Sequence, residues 1–498
     1  MPAAIFAAAL ALRAAYLLTI RGAYFFDHLT TEPLRYQGWA QALLDGRAPL
    51  APPFDEAPGY VALVAAVFAA AGRNVAAVAL VQAVLDAASC ALIALLARRI
   101  GGARAGWIAG ALAACSGPLI YFTGELVPAT ATIFVLACAL LATPAGAQAP
   151  RRRWIAAGCV WAAAILMRSE VLVALPLIAL FAGRRASGWV VLPTGILLAL
   201  SLSLNLASSG HLVPLSAGAG VNFWLGNNPL ADGVSPFLHG PLAVTAREVS
   251  SQARDAVEAD RAFTALAWSA LREHPGALAR LALRKLAWAF TDRELPNTCD
   301  IEWEKSHSPL FHRFFPLGLG FILPLAAVGL LRVRERRQLS LLLAPAAVAL
   351  TTSVLFFTNA RFRLPLALSA LPLAGIALAE LAQAVRSLRL WFAALAGLIL
   401  AFANFDGVNG YRIPQLDTNT GILERGAGRP ESAIFFLKRA QEGDDSDPVT
   451  WAQLAEAEEE AHQLREAADT WRRAALRLPG DLALRQSGMR FRHRTGLR

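Results

Sequence analysis

Long apolar runs constrain what this 498-residue chain can fold into more than any other feature of its sequence. A helix that crosses a membrane needs about 20 mostly apolar residues, and eleven segments meet or approach that length. They are residues 3–20, 75–97, 105–122, 127–142, 154–167, 171–182, 189–207, 314–331, 339–357, 364–385 and 390–403. Because only 16% of the residues are charged and the mean hydropathy is +0.46, we predict an all-α, polytopic membrane protein with about 11 transmembrane helices.

The arginines indicate how these segments are oriented. The net charge is +10, but the basic residues form short clusters between apolar runs, which is typical of membrane topology and not of a nucleic-acid-binding face. If the N-terminus is cytoplasmic, five clusters lie in inner loops, at residues 98–104, 151–153, 184–185, 332–337 and 386–389. We therefore expect a bacterial inner-membrane protein whose outer loops 21–59 and 208–313, and whose C-terminal tail, are periplasmic. The apolar N-terminus lacks a basic n-region, so we interpret it as a retained anchor.

The tail differs in composition from the rest and contains an internal repeat of 34 residues. The paired positions are Gly421/Ala455, Ala433/Ala467, Leu437/Trp471 and Ala440/Ala474. This period predicts tetratricopeptide-like helix pairs forming a small α-solenoid over residues 411–498, apart from a membrane domain of residues 1–410. Two copies are fewer than the roughly three needed for independent stability, so we expect the tail to rest on the membrane domain or on a protein or peptide partner. The alternative is an amphipathic hairpin without a ligand.

The first outer loop combines an amphipathic pattern with acidic residues. Four of its residues recur at the spacing of one helix face, namely Tyr36, Trp39, Ala40 and Leu43, which predicts a helix along the membrane interface. Residues 60–71 are apolar but too few to span, so an interfacial or re-entrant helix is expected there. Glu32 precedes the first of these helices, where partial desolvation would raise its pKa toward that of a usable base. The alternative is a carboxylate favoured by the helix dipole, and Asp27 is a competing candidate.

Several motifs together resemble a known group of enzymes. They are FDHLTTEPLRYQGWA (26–40), FDEAPGY (54–60), YFTGELVPA (121–129), MRSE (167–170), NFWLGNNP (222–229), LPNTCD (295–300) and ARFRLP (360–365). These stretches resemble the GT-C superfamily of membrane glycosyltransferases, in particular family 39-like proteins such as the protein O-mannosyltransferases and the lipid A aminoarabinose transferases. The resemblance covers nearly the whole membrane portion, and a tetratricopeptide tail is also familiar in this family.

The resemblance implies a hexosyl- or pentosyltransferase that uses a polyprenyl-phosphate sugar and transfers it, with inversion, to an acceptor on the outer face. Such proteins are expected to carry a first-loop carboxylate, generally aspartate, that acts as base or orients the acceptor. By its spacing to Tyr36-x-x-Trp39-Ala40, that position is Glu32. The extra methylene moves the carboxylate by ~1.5 Å, and a shift near 1 Å can cost about a hundredfold in rate. Either the pocket compensates, or Asp27 takes the role, or activity is weak.

Binding of the donor phosphate requires cations. Arginine suits this role because its guanidinium group can donate two parallel hydrogen bonds to phosphate oxygens. Arg361 and Arg363 lie at an outer helix start and Arg168 lies in an outer turn, so these three are the candidate phosphate ligands. Arginines on the outer side oppose the usual charge bias, which favours a function for them. The alternative is that they snorkel to the interface or that Arg168 pairs with Glu170 at a helix end.

Sugar and acceptor contacts are assigned to polar residues of the outer loops. The candidates are Glu125, Glu56, Asn227, Asn297 and Asp300, although asparagine-rich turns are commonly only turns. No spacing of histidines or acids predicts a metal cage. We therefore expect no required cofactor, while a divalent metal stays an open alternative.

Two rival hypotheses remain from the sequence. A transporter would show buried polar residues in mid-span and symmetry between its two halves, and neither is evident. A non-catalytic anchor that presents the tail to partners is favoured by the glutamate at position 32. The expected ligands of the enzyme are a polyprenyl-phosphate sugar and membrane lipid, without nucleic acid.

Overall fold

All regular structure in the described part of the chain is helical. The computed structural model describes residues 1–47, 56–146, 148–238, 240–296, 300–314, 317–380, 387–404, 407 and 411–496. The helices of the first half are α1 (Pro2–Ile20), α2 (Tyr24–Asp27), α3 (Thr31–Leu44), α4 (Pro58–Ala71), α5 (Val75–Ala114), α6 (Gly117–Tyr121), α7 (Ala129–Ala142), α8 (Arg151–Met167), α9 (Ala174–Ala182), α10 (Ser187–Ser209) and α11 (Ala219–Gly226). A 3-10 helix, Ser169–Val173, links α8 to α9.

The second half continues in the same way. Its helices are α12 (Gly240–Gln252), α13 (Ala256–Glu273), α14 (Pro275–Ala289), α15 (Ile301–Ser306), α16 (Pro309–Phe314), α17 (Leu319–Arg332), α18 (Arg336–Leu342), α19 (Ala344–Leu355), α20 (Ala360–Ala379), α21 (Leu388–Phe402), α22 (Pro414–Gly426), α23 (Pro430–Gly443), α24 (Pro448–Glu460), α25 (Leu464–Arg477) and α26 (Leu482–Thr495). The all-α, membrane-embedded fold class predicted from the sequence is thus confirmed.

The number of membrane-length helices is smaller than the number of predicted segments. Within the described residues, α1, α5, α10 and α20 are long and apolar enough to cross a membrane, and α18 with α19 makes a fifth if their 45° bend lies within one span. Shorter apolar helices of 10–17 residues lie in other predicted segments, namely Ala129–Ala142, Ser169–Ala182, Leu319–Arg332 and Leu388–Phe402. A further short apolar helix, Pro58–Ala71, lies where an interfacial or re-entrant helix was predicted. The count of eleven therefore stays a prediction.

The 40-residue helix α5 contains the predicted segment 75–97 and the first part of the predicted segment 105–122. It is broken at Gly102, whose φ of 83° lies in the region that favours glycine. Beyond the break, Gly106 packs on the chain so closely that a Cβ would lie 2.8 Å from the carbonyl oxygen of Ala94. The two halves of α5 are thus packed tightly side by side.

The second half of α5 ends earlier than the predicted 105–122 segment, since Pro118 has no N–H to donate to the carbonyl oxygen of Ala114. Arg13 of α1 donates hydrogen bonds to the carbonyl oxygens of Ala113, at 3.2 Å, and of Ala114. It also pairs with Asp86 at 2.6 Å, and neither side chain is more than 1% exposed. Side-chain donors at this end replace the missing intrahelical partners, so a contact far away in sequence satisfies the carbonyl groups at which the helix stops.

Helix α20 forms the centre of the membrane portion. It is buried from Ala360 to Ala377 and packs on α5, α17 and α19. Its start is capped by Asn359, whose Oδ1 accepts a hydrogen bond from the Phe362 backbone N–H at 2.9 Å. The beginning of this fixed helix carries two of the predicted arginines.

The tail consists of helical hairpins whose positions recur regularly. Helices α22, α24 and α26 begin at Pro414, Pro448 and Leu482, each 34 residues after the one before. The tail rests on the membrane portion, since Trp303 Nε1 donates a hydrogen bond to Glu424 Oε1 at 2.7 Å. The helix positions follow the period found in the sequence, whereas membership of the tetratricopeptide class and the division into two domains stay predictions.

Candidate active site

Three distant segments of the chain meet around one cavity of about 510 Å³. This volume is in the range of small-molecule sites. Its charged lining residues come from the first loop, the turn after α8 and the start of α20, and they are Glu32, Arg35, Glu56, Arg168, Glu170 and Arg361. The cavity thus joins three acids and three arginines, which the chain order separates by more than 300 residues.

Glu32 enters the cavity from the first turn of α3. The preceding residue, Thr31, has a φ of 47°, a conformation uncommon for a β-branched residue and costly to maintain. The Glu32 side chain is 15% exposed and accepts a hydrogen bond from Arg361 Nη1. Burial acts to raise the pKa of Glu32, but the charge and hydrogen bond of Arg361 outweigh it, so the pKa lies below its usual range. Glu32 is therefore an ionised carboxylate with a cation beside it.

Arg361 projects from the first turn of α20. Its side chain is only 8% exposed, and its Nε is buried with no hydrogen-bond acceptor among the described residues. Burying an unsatisfied donor costs free energy, so this guanidinium keeps an unused donor at the cavity wall. An anionic ligand could accept a hydrogen bond from this Nε.

Arg168 supplies the second cation of the cavity. It follows the end of α8 and pairs with Glu170, with Nε 3.2 Å from Oε2. The Phe362 ring lies near both arginines, 4.5 Å from the Arg168 Cζ and 5.0 Å from the Arg361 Cζ. Contacts of guanidinium groups with an aromatic face are favourable, so Phe362 helps to hold two like charges close together.

Glu56 is the second carboxylate of the first loop in this cavity. It is half-buried, and its Oε1 lies 3.8 Å from Arg35 Nη2. Burial, together with the negative charge of Glu32, raises the pKa of Glu56 to about 7. Two carboxylates with pKa values pushed apart are a typical arrangement of acid–base sites.

Two predicted residues lie elsewhere. Asp27 is exposed at the end of α2 and is not among the residues that line the cavity. The Arg363 side chain is buried away from it and donates to the carbonyl oxygens of Trp288 at 3.1 Å and Thr291 at 2.8 Å, and to Glu294 at 3.0 Å. Arg363 thus ties the long outer loop to α20, whereas Arg361 two residues earlier faces the cavity.

The predicted sugar and acceptor residues are also dispersed. Glu125 lies in the turn before α7, outside the cavity lining, and burial together with the charge of Glu304 raises its pKa well above the usual range. Asp300 caps α15, accepting from the Glu302 backbone N–H at 2.9 Å. Asn297 lies outside the described residues. Among the predicted contacts that fall in the described part of the chain, only Glu56 lines the cavity.

Asn227 is likewise engaged with the backbone. Its Nδ2 donates to the carbonyl oxygens of Phe223 at 2.8 Å and Leu355 at 2.6 Å. These bonds fix the end of α19 against α11. Asn227 is close in sequence to Leu225, which lines the cavity. Its amide nitrogen, however, bonds to backbone carbonyl oxygens.

Sequence reasoning missed several lining residues, among them Arg35 and Phe362. Arg35 follows Glu32 by three residues, which places both on one helix face. Its position in the cavity lining could therefore have been predicted from this spacing. Phe362 lies between two predicted arginine positions but carries no polar group, and only the fold shows its contacts. No group of three or more histidines, cysteines or acids in the described residues could hold a metal ion.

Comparison with known proteins gives one family match. Residues 55–210 match the model of the dolichyl-phosphate-mannose-protein mannosyltransferase family. No curated protein matches the chain. The matched region begins in the first outer loop and includes the turn that carries Arg168.

Solved structures with similarity to the chain include an archaeal oligosaccharyltransferase and ArnT. The oligosaccharyltransferase AglB from Archaeoglobus fulgidus, in complex with an inhibitory peptide and a dolichol-phosphate, is 15% identical, with a TM-score of 0.42 over 80% of this chain and 54% of that one. ArnT from Cupriavidus metallidurans, bound to undecaprenyl phosphate, is 15% identical, with a TM-score of 0.39 over 94% of this chain and 79% of that one. The chain thus spans about half the length of the oligosaccharyltransferase.

The FDEAPGY, YFTGELVPA and MRSE motifs lie within or at the edge of the matched region, whereas the motif at residues 26–40 precedes it. The resemblance to the protein O-mannosyltransferases, inferred from those motifs, is therefore confirmed by the match of residues 55–210 to the dolichyl-phosphate-mannose-protein mannosyltransferase family.

Proposed function

We propose that this protein is a membrane glycosyltransferase that moves a sugar from a polyprenyl-phosphate donor to an acceptor on the outer face of the membrane. The observation that carries the proposal is the convergence of Glu32, Arg168 and Arg361 on one cavity. A carboxylate beside two cations is the combination that glycosyl transfer from a lipid phosphate needs. The family match over residues 55–210 supports the same class of reaction.

The two arginines serve the donor. The bond from the anomeric carbon to the phosphate oxygen breaks, and the leaving phosphate takes the electron pair. Cations placed where this charge develops stabilise the transition state. Arg361 offers its unused Nε, and Arg168 is held nearby by Phe362. These positions suit a phosphate at headgroup depth, with the isoprenoid chain in lipid.

The two carboxylates serve the acceptor. The acceptor hydroxyl attacks the anomeric carbon from the side opposite the phosphate, which inverts the configuration, and its proton must leave. Glu32, ionised and paired with Arg361, orients the hydroxyl. Glu56 takes the proton, because a pKa of about 7 is matched to a base that works near neutral pH. Proton, electron pair and leaving group are then all accounted for.

The arginine clusters of the sequence support one orientation of the protein in the membrane. We propose that the cavity opens to the periplasm of a bacterial inner membrane, because those clusters favour an inner location for the loops opposite to it. A protein or peptide partner for the tail stays a prediction from its repeat. Reporter fusions after residues 44 and 402 should both report an outer location, and a cytoplasmic signal at residue 44 would contradict this orientation.

Turnover measurements with labelled undecaprenyl-phosphate sugars test the reaction. The wild type should transfer label from at least one donor, and Glu32→Gln should reduce transfer at least about a hundredfold, as expected for an acid–base or orienting group. Asp27→Asn tests the competing carboxylate and should leave transfer nearly unchanged, since Asp27 lies outside the cavity. No transfer by the wild type from a broad set of donors would favour the non-catalytic anchor.

A further inference from the structure

The break between α19 and α20 determines where Arg361 lies. Helix α19 ends at Leu355 and α20 begins at Ala360, and both Phe357 and Arg361 line the cavity. Phe356 has φ −114° and ψ −103°, outside the regular helical and extended regions. The position of Arg361 therefore depends on what holds this irregular segment in place.

Lys285 of α14 holds the segment from the side of the long outer loop. Its Nζ donates hydrogen bonds to the carbonyl oxygens of Val354 at 2.7 Å, Phe356 at 2.9 Å and Gly226 at 3.0 Å. A fourth acceptor, Asn227 Oδ1, lies at 3.3 Å. One ammonium group thus joins the end of α19 to α11 and α14.

Two further contacts secure the same joint. Thr358 Oγ1 donates to the carbonyl oxygen of Lys285 at 3.0 Å. Asn227 Nδ2 donates to the carbonyl oxygen of Leu355 at 2.6 Å. The carbonyl groups at the end of α19 are therefore satisfied by side chains from other elements, as an irregular helix end requires.

Keeping Lys285 charged in this buried position costs free energy. Its side chain is 0% exposed, and its described acceptors are all neutral oxygens. Burying an unpaired ammonium costs several kcal/mol, and a methionine of similar volume would fill the space without that cost. Burial lowers the pKa of Lys285 to about 7, while oxygen acceptors stabilise the protonated form. Packing alone does not explain a lysine here.

The charge lies at the negative end of a helix dipole. The C-terminus of a helix carries roughly −0.5 of an elementary charge, and at α19 this end adjoins the segment that carries Arg361. A negative helix end at this point would weaken the attraction between the cavity and an anion. The Lys285 ammonium, bonded to the carbonyl groups of that end, cancels this effect.

We propose that Lys285 is a positioning residue for lipid-phosphate binding: it fixes the break that presents Arg361 and cancels the negative end of α19. The inference rests on the proposed function, because the anion that it serves is the donor phosphate. Lys285 does not touch the ligand itself, since its Nζ is occupied by backbone and amide oxygens.

Binding of farnesyl phosphate and of uncharged farnesol to the full-length protein in neutral-lipid nanodiscs tests the inference. At pH 6, below the pKa of Lys285, Lys285→Met should raise the Kd for farnesyl phosphate about tenfold, equivalent to about 1.4 kcal/mol. The Kd for farnesol should not change. The matched control is Lys438→Met, at a half-exposed tail lysine that lies 3.6 Å from Glu458, and it should bind both probes like the wild type.

Each other result has a definite meaning. If Lys285→Met does not fold, Thr358→Val, which removes only the bond to the Lys285 carbonyl group, should weaken farnesyl phosphate binding about threefold with farnesol unchanged. Equal losses for both probes would show a merely structural role, and equal phosphate binding by variant and wild type would overturn the inference alone. A wild type that binds no farnesyl phosphate would overturn the proposed function together with this inference.

Discussion

At the scale of single residues, the departure from aspartate at position 32 has a structural counterpart. The longer glutamate side chain reaches the Arg361 guanidinium across the cavity. Spacing to the aromatic residues of α3 was enough to choose Glu32 from the sequence. Its partner could not be chosen in this way, because 329 residues separate the two and only the fold brings them together.

Replacing Glu32 with the shorter aspartate should therefore impair the site. We expect Glu32→Asp to lower sugar transfer about tenfold or more, since the carboxylate would retreat by ~1.5 Å from Arg361 and misplacement of about 1 Å is costly in rate. Steady-state kinetics with the best donor measure the effect, and unfolding temperature serves as the control for stability. An increase in rate would mean that the cavity is not built around glutamate.

The pKa of Glu56 gives a second residue-scale prediction. Below its pKa of about 7 the group is protonated and cannot accept a proton, whereas above it the ionised form can. We expect kcat/KM to rise as pH increases through about 7, and Glu56→Gln to lower the rate and remove this ionisation. A pH–rate profile of the variant that keeps the inflection near pH 7 would assign it to another group.

At the scale of helices, sequence patterns located the apolar elements better than their ends. The spacing of Tyr36, Trp39, Ala40 and Leu43 predicts an amphipathic helix, and α3 covers all four. The residues that satisfy the ends of α5 and α19 could not be predicted, because Arg13 and Lys285 bind the last carbonyl groups from positions far away in sequence. Hydropathy reports composition along the chain and contains no information on such contacts.

The Arg13–Asp86 pair allows a test of helix packing. Replacing Arg13 with methionine leaves Asp86 buried without its cation, and removal of one partner of a buried pair costs about 3–5 kcal/mol. The double variant Arg13→Met/Asp86→Leu should recover much of this loss, because no unpaired charge remains. Thermal unfolding in detergent compares the two, and a double variant less stable than both single ones would show that the pair does more than neutralise charge.

At the scale of the whole molecule, the tail contacts two loop regions of the membrane portion. Trp303 of the long loop bonds to Glu424, and Tyr24 of the first loop packs so closely on Gly426 that a Cβ there would lie 2.5 Å from the Tyr24 Oη. The 34-residue period predicted where the hairpins begin. It could not predict which residues they rest on, because the surface between two helical parts leaves no periodic pattern.

Loosening this joint should be measurable. Trp303→Phe keeps the ring but removes the N–H that Glu424 accepts, and loss of one such hydrogen bond, here to a charged group, costs about 1.5–3 kcal/mol. We expect faster hydrogen exchange in α22 and faster proteolytic release of the tail, with α24–α26 unaffected. Unchanged exchange in α22 would show that the contact with Tyr24 is sufficient to hold the tail.

The equal offsets between Pro414, Pro448 and Leu482 also bear on how such a tail can change length. Inserting or removing one complete 34-residue unit alters its reach but places the following helices at equivalent positions of the repeat. A change of any other length would rotate the following helices out of register and expose their apolar faces. Variation in the length of this tail, by recombination or by engineering, should therefore succeed only in whole units.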